Sequence, residues 1–185
     1  RSLDGDLPKT NEVFGENSVE HFVAKINAEG DYEWVTDFDS ENLEINSTNW
    51  TAGDIERTID GDIVTFIEKG NQSHAIAKLN DAGGIIWEKE LNTYDITNGE
   101  FIDSDDEGNI YIGWNKSVNG SYDNSIVKIN DRGEELWTTT IGGNRTDYMR
   151  SILYDDNHLY VSGITDSDDF AENKDNTLWQ NYVAQ

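Results

Sequence analysis

The stretch KINDRGEELW at residues 128–137 has two earlier copies, KINAEGDYEW at 25–34 and KLNDAGGIIW at 78–87. All three fit the pattern K-[IL]-N-x-x-G-x-x-x-W, and their lysines lie 53 and then 50 residues apart. Self-similarity at a nearly constant period is the sequence signature of a repeat architecture. The fold is therefore decided by one supersecondary unit that recurs along the chain.

Each copy predicts a β-hairpin. The four residues before each Lys are rich in apolar side chains, which favours a short strand; they read HFVA at 21–24, HAIA at 74–77 and NSIV at 124–127. The N-x-x-G segment predicts the turn, because Asn tolerates turn conformations and Gly adopts the positive φ that closes them. The residues up to Trp predict the return strand, and NYVAQ at 181–185 is similar to a fourth first strand.

A second pair of strands is predicted upstream of each hairpin. Short runs of β-branched and aromatic residues indicate one strand of each pair: GDIVTFI at 61–67, GNIYIGW at 108–114 and NHLYVSG at 157–163. The other strand comes just before it and ends in an acidic turn: IERTIDGD at 55–62, GEFIDSDDEGN at 99–109 and SILYDDN at 151–157. No segment carries a helical period over roughly 11 residues or more.

One period of about 50 residues therefore holds four short antiparallel strands, which is typical of β-propeller blades. We expect an all-β fold in which residues 1–185 form a single, partial propeller domain. The blade-like repeats are expected at about 1–38, 55–91, 99–140 and 148–185. These three to four blades are expected to be part of a larger propeller or assembly, because open ends would leave unpaired strand edges.

The repeat also predicts which positions are structural. The core is expected to contain the three repeat tryptophans together with Phe22, Val23, Ile26, Ile63, Val64, Ile76, Leu79, Ile110, Ile112, Ile126, Val127, Ile129, Leu159 and Val161. His21 and His74 occupy the same repeat position, where the later copies have Asn124 and Asn181. This position is interpreted as a polar structural slot, because its members recur along the chain and do not form a metal-binding cluster.

The residues Gly108–Trp114 and Asn124–Trp137, with the Gly pair of Ile141-Gly142-Gly143, resemble the bacterial β-propeller repeat called the SBBP repeat. The Lys-to-Trp hairpin is also similar to the tryptophan-docking repeat of quinoprotein-type propellers. That similarity implies that Trp34, Trp87 and Trp137 wedge between neighbouring blades. The SBBP resemblance implies an extracellular or envelope location and mostly non-enzymatic roles, and it carries no catalytic motif.

Composition narrows the function classes. The 185 residues include no Cys, and 38 acidic residues against 13 basic ones give a net charge of -25. The lack of Cys excludes disulfides, thiolate catalysis and Cys-based metal sites. The charge argues against nucleic acid as a partner, because the phosphate backbone would repel it. No apolar run approaches the roughly 18 residues of a membrane span, so we expect no membrane insertion.

Two acidic segments are candidates for calcium, which needs about six to eight oxygen ligands. The segment DSDDEGN resembles the opening of a calcium loop but lacks the late bidentate Glu; it offers Asp103, Asp105, Glu107 and Asn109. The segment DSDDFAENKDN at 166–176 could wrap one ion; it offers Asp166, Asp168, Asp169 and Asp175. The alternatives are a solvated acidic turn for the first segment and a flexible acidic loop for the second.

Four aromatic residues on or beside predicted connections are candidates for ligand binding: Trp50, Trp114, Tyr122 and Trp179. Trp50 lies on the long polar connection 40–54. Aromatic rings in Asn- and Asp-rich surroundings suit stacking on a sugar ring. Packing between blades is the alternative for these side chains.

The leading hypothesis for function is a non-enzymatic binding or structural module that presents unequal loops to a protein or a glycan, with calcium as the candidate ion. The location is expected to be secreted, periplasmic or cell-surface, although the opening RSLDGDLPKT shows no signal peptide. One alternative is part of a propeller enzyme: a hydrolase, a lyase or a quinoprotein-like oxidoreductase. The other is a subunit whose blades are completed by partner chains.

Overall fold

The computed structural model describes residues 21–38, 53–69, 73–91, 96–170 and 180–184. Across these ranges the chain forms strands and no helix, so the predicted all-β class is confirmed. The thirteen strands are β1 His21–Ile26, β2 Tyr32–Phe38, β3 Ile55–Arg57, β4 Ile63–Lys69, β5 Ser73–Leu79, β6 Ile85–Leu91, β7 Ile96–Ser104, β8 Ile110–Val118, β9 Ser121–Ile129, β10 Glu135–Ile141, β11 Asp147–Asp155, β12 His158–Thr165 and β13 Gln180–Ala184.

The strands form four antiparallel sheets whose strand order follows the chain. Sheet 1 contains β1 and β2, sheet 2 contains β3 to β6, sheet 3 contains β7 to β10, and sheet 4 contains β11 to β13. Sheets 2 and 3 are thus complete four-stranded meanders of the predicted kind. Within the described ranges, nothing helical is long and apolar enough to cross a membrane.

The predicted Lys-to-Trp hairpins are confirmed, and all three have the same register. Lys25 lies opposite Trp34, Lys78 opposite Trp87, and Lys128 opposite Trp137. Between this pair and the turn, the return strand carries one extra residue, which shifts the register. The three residues between Gly and Trp in the motif therefore encode a β-bulge, a feature that increases strand twist.

The turn of each hairpin explains the Asn and Gly of the motif. In the second copy, the Gly83 N–H donates to the Asn80 carbonyl, and the Asn80 side-chain oxygen accepts the N–H groups of Ala82 and Gly84. The first and third copies repeat these bonds around Asn27 and Asn130. The turn glycines have φ of 89°, 82° and 74°, a region that other residues avoid.

Apolar layers separate successive sheets. One cluster joins Val23 and Phe38 of sheet 1 to Ala75, Ala77 and Leu79 of sheet 2. Two further clusters lie between sheets 2 and 3 and between sheets 3 and 4. Because successive residues of a strand point to opposite faces, the middle sheets are apolar on both faces.

The expected core is mostly found, with three errors. Phe22 and Ile26 are 58% and 54% exposed. Sheet 1 is covered on the face that carries Val23, and alternation turns these two side chains to the other face. Of the repeat tryptophans, Trp34 and Trp87 are half-buried, whereas Trp137 is 39% exposed and is the third error.

Residues 115–124, which lie between the predicted strands 108–114 and 124–127, mostly extend those strands. Strand β8 continues to Val118 and β9 begins at Ser121, so only Asn119 and Gly120 form the turn. Both have positive φ, 50° and 88°, which is the conformation of the type I′ hairpin turn that Asn-Gly favours. Trp114 and Tyr122 therefore lie on strands.

The repeat tryptophans connect each sheet to the next. Trp34 donates its indole N–H to the Asp81 carbonyl at 2.9 Å, and Trp87 donates to the Asp131 carbonyl at 2.8 Å. Both carbonyls belong to N-x-x-G turns of the following sheet. The ring of Trp34 lies so close to Gly83 that an added Cβ would be 2.7 Å from it.

We predict that Gly83→Ala costs more stability than Gly30→Ala. Both glycines have positive φ, so either alanine costs about 1–2 kcal/mol of backbone strain. An added Cβ at Gly30 meets nothing within 4 Å, whereas at Gly83 it collides with the Trp34 ring and costs about 1–3 kcal/mol more. Urea denaturation of the two variants measures the difference, and equal losses would contradict the docking role of the tryptophan.

Candidate functional site

The connections between strands lie at two ends of the sheets. The hairpin end carries the β1–β2, β5–β6 and β9–β10 turns together with the β3–β4, β7–β8 and β11–β12 turns. The loop end carries the β8–β9, β10–β11 and β12–β13 connections. The two acidic segments proposed for calcium fall at opposite ends. Residues 103–109 are at the hairpin end, and residues 166–170, the described part of the second segment, are at the loop end.

At the hairpin end, Asp105 closes the β7–β8 turn. One carboxylate oxygen accepts the N–H groups of Glu107 and Asn109 at 3.0 and 2.8 Å, the bonds that Asn makes in the N-x-x-G turns. The other accepts the Tyr111 hydroxyl and lies 3.1 Å from the Lys128 ammonium. Burial raises the pKa of Asp105, but hydrogen bonds from Asn109, Lys128 and Tyr111 outweigh it and lower the pKa overall.

Of the other candidates in this segment, Asn109 lies beside Asp105 and Glu107, whereas Asp103 faces sheet 4. Asp103 accepts the backbone N–H of Tyr154 in sheet 4, and Asn109 donates its amide N–H to Asp105 at 2.9 Å. Glu107 is exposed. In the described ranges no group of three or more acidic, His or Cys side chains is arranged to hold a metal. Calcium at 103–109 stays a prediction.

Sequence reasoning missed the role of the repeat lysine, although Lys is one of the fixed positions of the motif. Lys78 is buried and lies 2.8 Å from the Asp60 carboxylate and 3.2 Å from that of Asp62 in the β3–β4 turn. Lys128 makes the equivalent pair with Asp105. Each lysine therefore links the second hairpin of its sheet to the acidic turn of the first.

The ion pair with Lys78 also shifts the pKa of Asp60. Burial acts to raise the pKa of Asp60, but hydrogen bonds from Lys78 and Thr58 act more strongly and lower it to about 2. The acidic turns of the hairpin end are thus held by cations and donors of the chain itself. These turns have a structural role.

At the loop end, Asp166, Asp168 and Asp169 surround Arg145 and its neighbour Asn144. Arg145 lies 3.0 Å from Asp168 and 3.8 Å from Asp166, and Asp169 accepts the Asn144 backbone N–H at 2.8 Å. These three acids approach the β10–β11 loop as a group. The other candidates, Trp50, Asp175 and Trp179, lie outside the described residues.

Next to the Gly142–Gly143 pair, buried polar groups form a hydrogen-bonded cluster at the loop end. Asp147 is fully buried, and its Oδ2 accepts the Gly143 N–H and the Ser167 hydroxyl, both at 2.7 Å. The Ser167 hydroxyl oxygen also accepts the Arg145 backbone N–H at 2.9 Å. Sequence reasoning noted Gly142 and Gly143 but gave no role to Asp147 or Ser167.

A neighbouring carboxylate, Asp123, faces the same loop. Its Oδ1 is buried without a hydrogen-bond partner in the described ranges. Burial raises the pKa of Asp123, and the negative charge of Asp147 raises it further. Beside it, Asn115 and Asn124 are both buried, and their side-chain oxygens accept the Met149 N–H at 2.7 and 2.6 Å.

Tyr122, predicted to bind ligand, stacks on Tyr148 of sheet 4 with ring centroids 5.0 Å apart. Both rings are half-buried, and Arg150 lies over the Tyr148 ring at 5.7 Å. Burial raises the pKa of Tyr148, as does the neighbouring Tyr122. Tyr122 therefore takes part in packing between sheets 3 and 4.

Trp114, also predicted to bind ligand, lies in the wall of a cavity of about 420 Å³ between sheets 2 and 3, which we call the Trp114 groove. The side chain is 4% exposed, and its indole N–H is buried with no hydrogen-bond partner in the described ranges. Apolar residues line one part of the groove: Ile76, Leu91, Val127 and Ile129. Polar residues line the rest, including Lys89, Glu90, Lys116, Ser125, Glu135, Thr138 and Thr140.

Compared with protein-family models and with curated proteins, the chain shows no match. Among the described residues, the Trp114 groove and the acidic loop end hold buried polar atoms that make no hydrogen bond within the chain.

We predict that Lys78→Met destabilises the protein by about 1–3 kcal/mol, because it leaves two carboxylates beside a buried position without their cation. Lys25→Met is the matched control. Lys25 occupies the same repeat position, but its pair with Asp81 is exposed and screened by water, so the loss of stability should be smaller. Chemical denaturation measures both, and a Lys78 variant no weaker than the Lys25 variant would contradict the linking role.

Proposed function

We propose that this chain is a run of β-propeller blades that acts as a non-enzymatic, secreted or cell-surface module and binds a glycan in the Trp114 groove. Two four-stranded meanders in chain order, with each sheet packed on the next, support the propeller arrangement. Strand β11 packs against β7, β8 and β9, and β3 and β4 pack against β7. Face-to-face contact between consecutive sheets is what stacked blades require.

The observation that carries the proposed function is the unused donor of Trp114. A buried N–H without an acceptor costs free energy, about 1–3 kcal/mol, unless another molecule supplies the acceptor. The Trp114 side chain lies at a cavity large enough for a small ligand, since ligand sites commonly span about 300–1,000 Å³. A ligand oxygen at this position would remove the cost.

The lining of the groove favours a sugar. A pyranose ring has an apolar face and a rim of hydroxyl groups, so it suits an aromatic wall next to hydrogen-bonding side chains. Trp114 supplies the ring, and Ser125, Thr138 and Thr140 supply hydroxyls. Lys89 and Lys116 add donors that could bind acidic substituents of a glycan.

The loop end is proposed as the surface for a protein partner. Its connections are unequal, because β8 and β9 are joined by a two-residue turn whereas β12 and β13 are separated by residues 166–179. Unequal loops on a repeated scaffold are where binding specificity is usually located. Calcium at 166–175 would hold such a loop in one conformation, and this remains a proposal.

Trp114→Phe is predicted to weaken glycan binding by about 5- to 10-fold, the equivalent of one lost hydrogen bond, because the ring remains and the N–H is lost. Neutral and anionic oligosaccharides are first screened as an immobilised panel, and the binders are measured by isothermal titration calorimetry. Trp34→Phe is the control, since Trp34 belongs to sheet 1 and does not line the groove. No binding to any oligosaccharide, or equal affinities for wild type and Trp114→Phe, would refute the proposal.

Assembly with a second chain is a further candidate function, and Trp137 favours it. Trp34 and Trp87 each dock on an N-x-x-G turn, whereas the indole N–H of Trp137 has no acceptor in the described ranges. The turn at Asn27–Asp31 is the reciprocal surface, because an added Cβ at Gly30 meets no atom within 4 Å. We propose that Trp137 can receive this turn from a second copy of the chain.

Trp137→Ala is predicted to weaken self-association about tenfold or more, because docked aromatic side chains carry much of the energy of an interface. Leu136→Ala is the control on the same strand, since Leu136 is also exposed but is not a docking residue. Sedimentation velocity measures both. A wild-type chain that remains monomeric at about 100 μM, well above a micromolar Kd, would refute assembly.

A further inference from the structure

Two carboxylates from different sheets meet beside the β10–β11 loop. An added Cβ at Gly142 would collide with the Asp123 carboxylate, and the Gly143 N–H donates to Oδ2 of Asp147 at 2.7 Å. Asp123 belongs to β9 of sheet 3, and Asp147 begins β11 of sheet 4. Gly142 thus leaves room for the Asp123 carboxylate, and the Gly143 N–H holds that of Asp147, so both side chains lie against the same short stretch of backbone.

Each carboxylate has one buried oxygen that receives no hydrogen bond from any group in the described ranges. Asp147 is 0% exposed, and the Gly143 N–H and Ser167 hydroxyl both bind its Oδ2, which leaves Oδ1 free. Oδ1 of Asp123 is buried in the same way. Unpaired buried charges are costly, and two of like sign repel each other.

The basic side chains near this pair form no ion pair with it. Arg145 follows the two glycines, but its guanidinium pairs with Asp168 at 3.0 Å and Asp166 at 3.8 Å. Lys116, the register partner of Asp123 on β8, attracts the Asp123 carboxylate, and this one cation offsets only part of the two negative charges. Among the ion pairs of the described ranges, none includes Asp123 or Asp147. The site therefore has a surplus of negative charge in a buried place.

We propose that a calcium ion binds between the free oxygens of Asp123 and Asp147. Calcium takes carboxylate and carbonyl oxygens as ligands, and it tolerates irregular geometry. The described ranges hold no set of three or more acidic, His or Cys groups suited to a metal, so backbone carbonyls of the loop and water complete the shell. Calcium affinity rises with the number of charged ligands, and this site has only two carboxylates, so a weak Kd of about 0.1–1 mM is expected.

The two proposed ligands, Asp123 and Asp147, are not among those that the sequence suggested in 103–109 and 166–176, although Ser167 of the second segment binds Asp147. Neither residue lines the Trp114 groove. It would join sheet 3 to sheet 4 at the loop end and hold the β10–β11 loop between them. Since the two carboxylates come together only in the folded chain, calcium would bind the native state and raise its stability by mass action.

The test uses the full chain, freed of metal with a chelator and then dialysed. Thermal melts are compared in calcium, magnesium and sodium chloride at matched ionic strength, and calcium binding is measured by terbium displacement with tyrosine-sensitised luminescence. Wild type is expected to show a rise in midpoint specific to calcium, and Asp123→Asn is expected to abolish it. Asp168→Asn is the matched control, because Asp168 is an exposed acid of the neighbouring segment and should leave the calcium response unchanged.

Three results would overturn the proposal. An equal rise with every salt would mean that the acidic surface is simply screened. A calcium response that survives Asp123→Asn but is lost in Asp168→Asn would place the ion in the 166–176 segment. No calcium response, together with a more stable Asp123→Asn variant at neutral pH, would mean that the two carboxylates share a proton.

Asp123 is the residue to mutate first, because it is partly exposed and its substitution disturbs folding less than that of the fully buried Asp147.

Discussion

The hydrogen bond from a repeat tryptophan to the turn of the next sheet sets the spacing on which the rest of the structure depends. Trp34 and Trp87 make this bond to the carbonyls of Asp81 and Asp131. A rigid indole and a directional N–H fix the distance between one sheet and the following turn more narrowly than apolar contact alone. The apolar layers fill the spaces that remain, and the Trp114 groove lies within one of them.

The two ends of the sheets use acidic residues in opposite ways. At the hairpin end, Lys78 and Lys128 bind carboxylates of the upstream turns, so these acids serve folding. At the loop end, one oxygen of Asp123 and one of Asp147 are buried without a hydrogen-bond partner in the described ranges. Only the second arrangement leaves carboxylate oxygens that a ligand could bind, because a charge that is already paired gains little from another partner.

The strand pattern was largely predictable from the repeat, and the candidate sites were not. The hairpin register follows from local rules, since Asn and Gly define the turn and alternation defines the faces. Asp105 looked like a calcium ligand because a D-x-x-G turn and a calcium loop both need closely spaced oxygens followed by Gly. In the structure the oxygens of Asp105 accept the hydroxyl of Tyr111 on the adjoining strand β8 and pair with Lys128 on β9, contacts that the sequence pattern did not show. Calcium at this turn stays a prediction.

The sequence by itself determined the class of fold, the four hairpin-built units and the turns between their strands, because these depend on residues within about ten positions of one another. Tertiary structure decided which face of each strand is covered, so that Phe22 is exposed while Val23 is buried. It also decided that Trp114 would line a groove and that Asp123 would meet Asp147. Such pairings depend on how whole sheets stack, and the contacts that stack them join residues far apart in the chain.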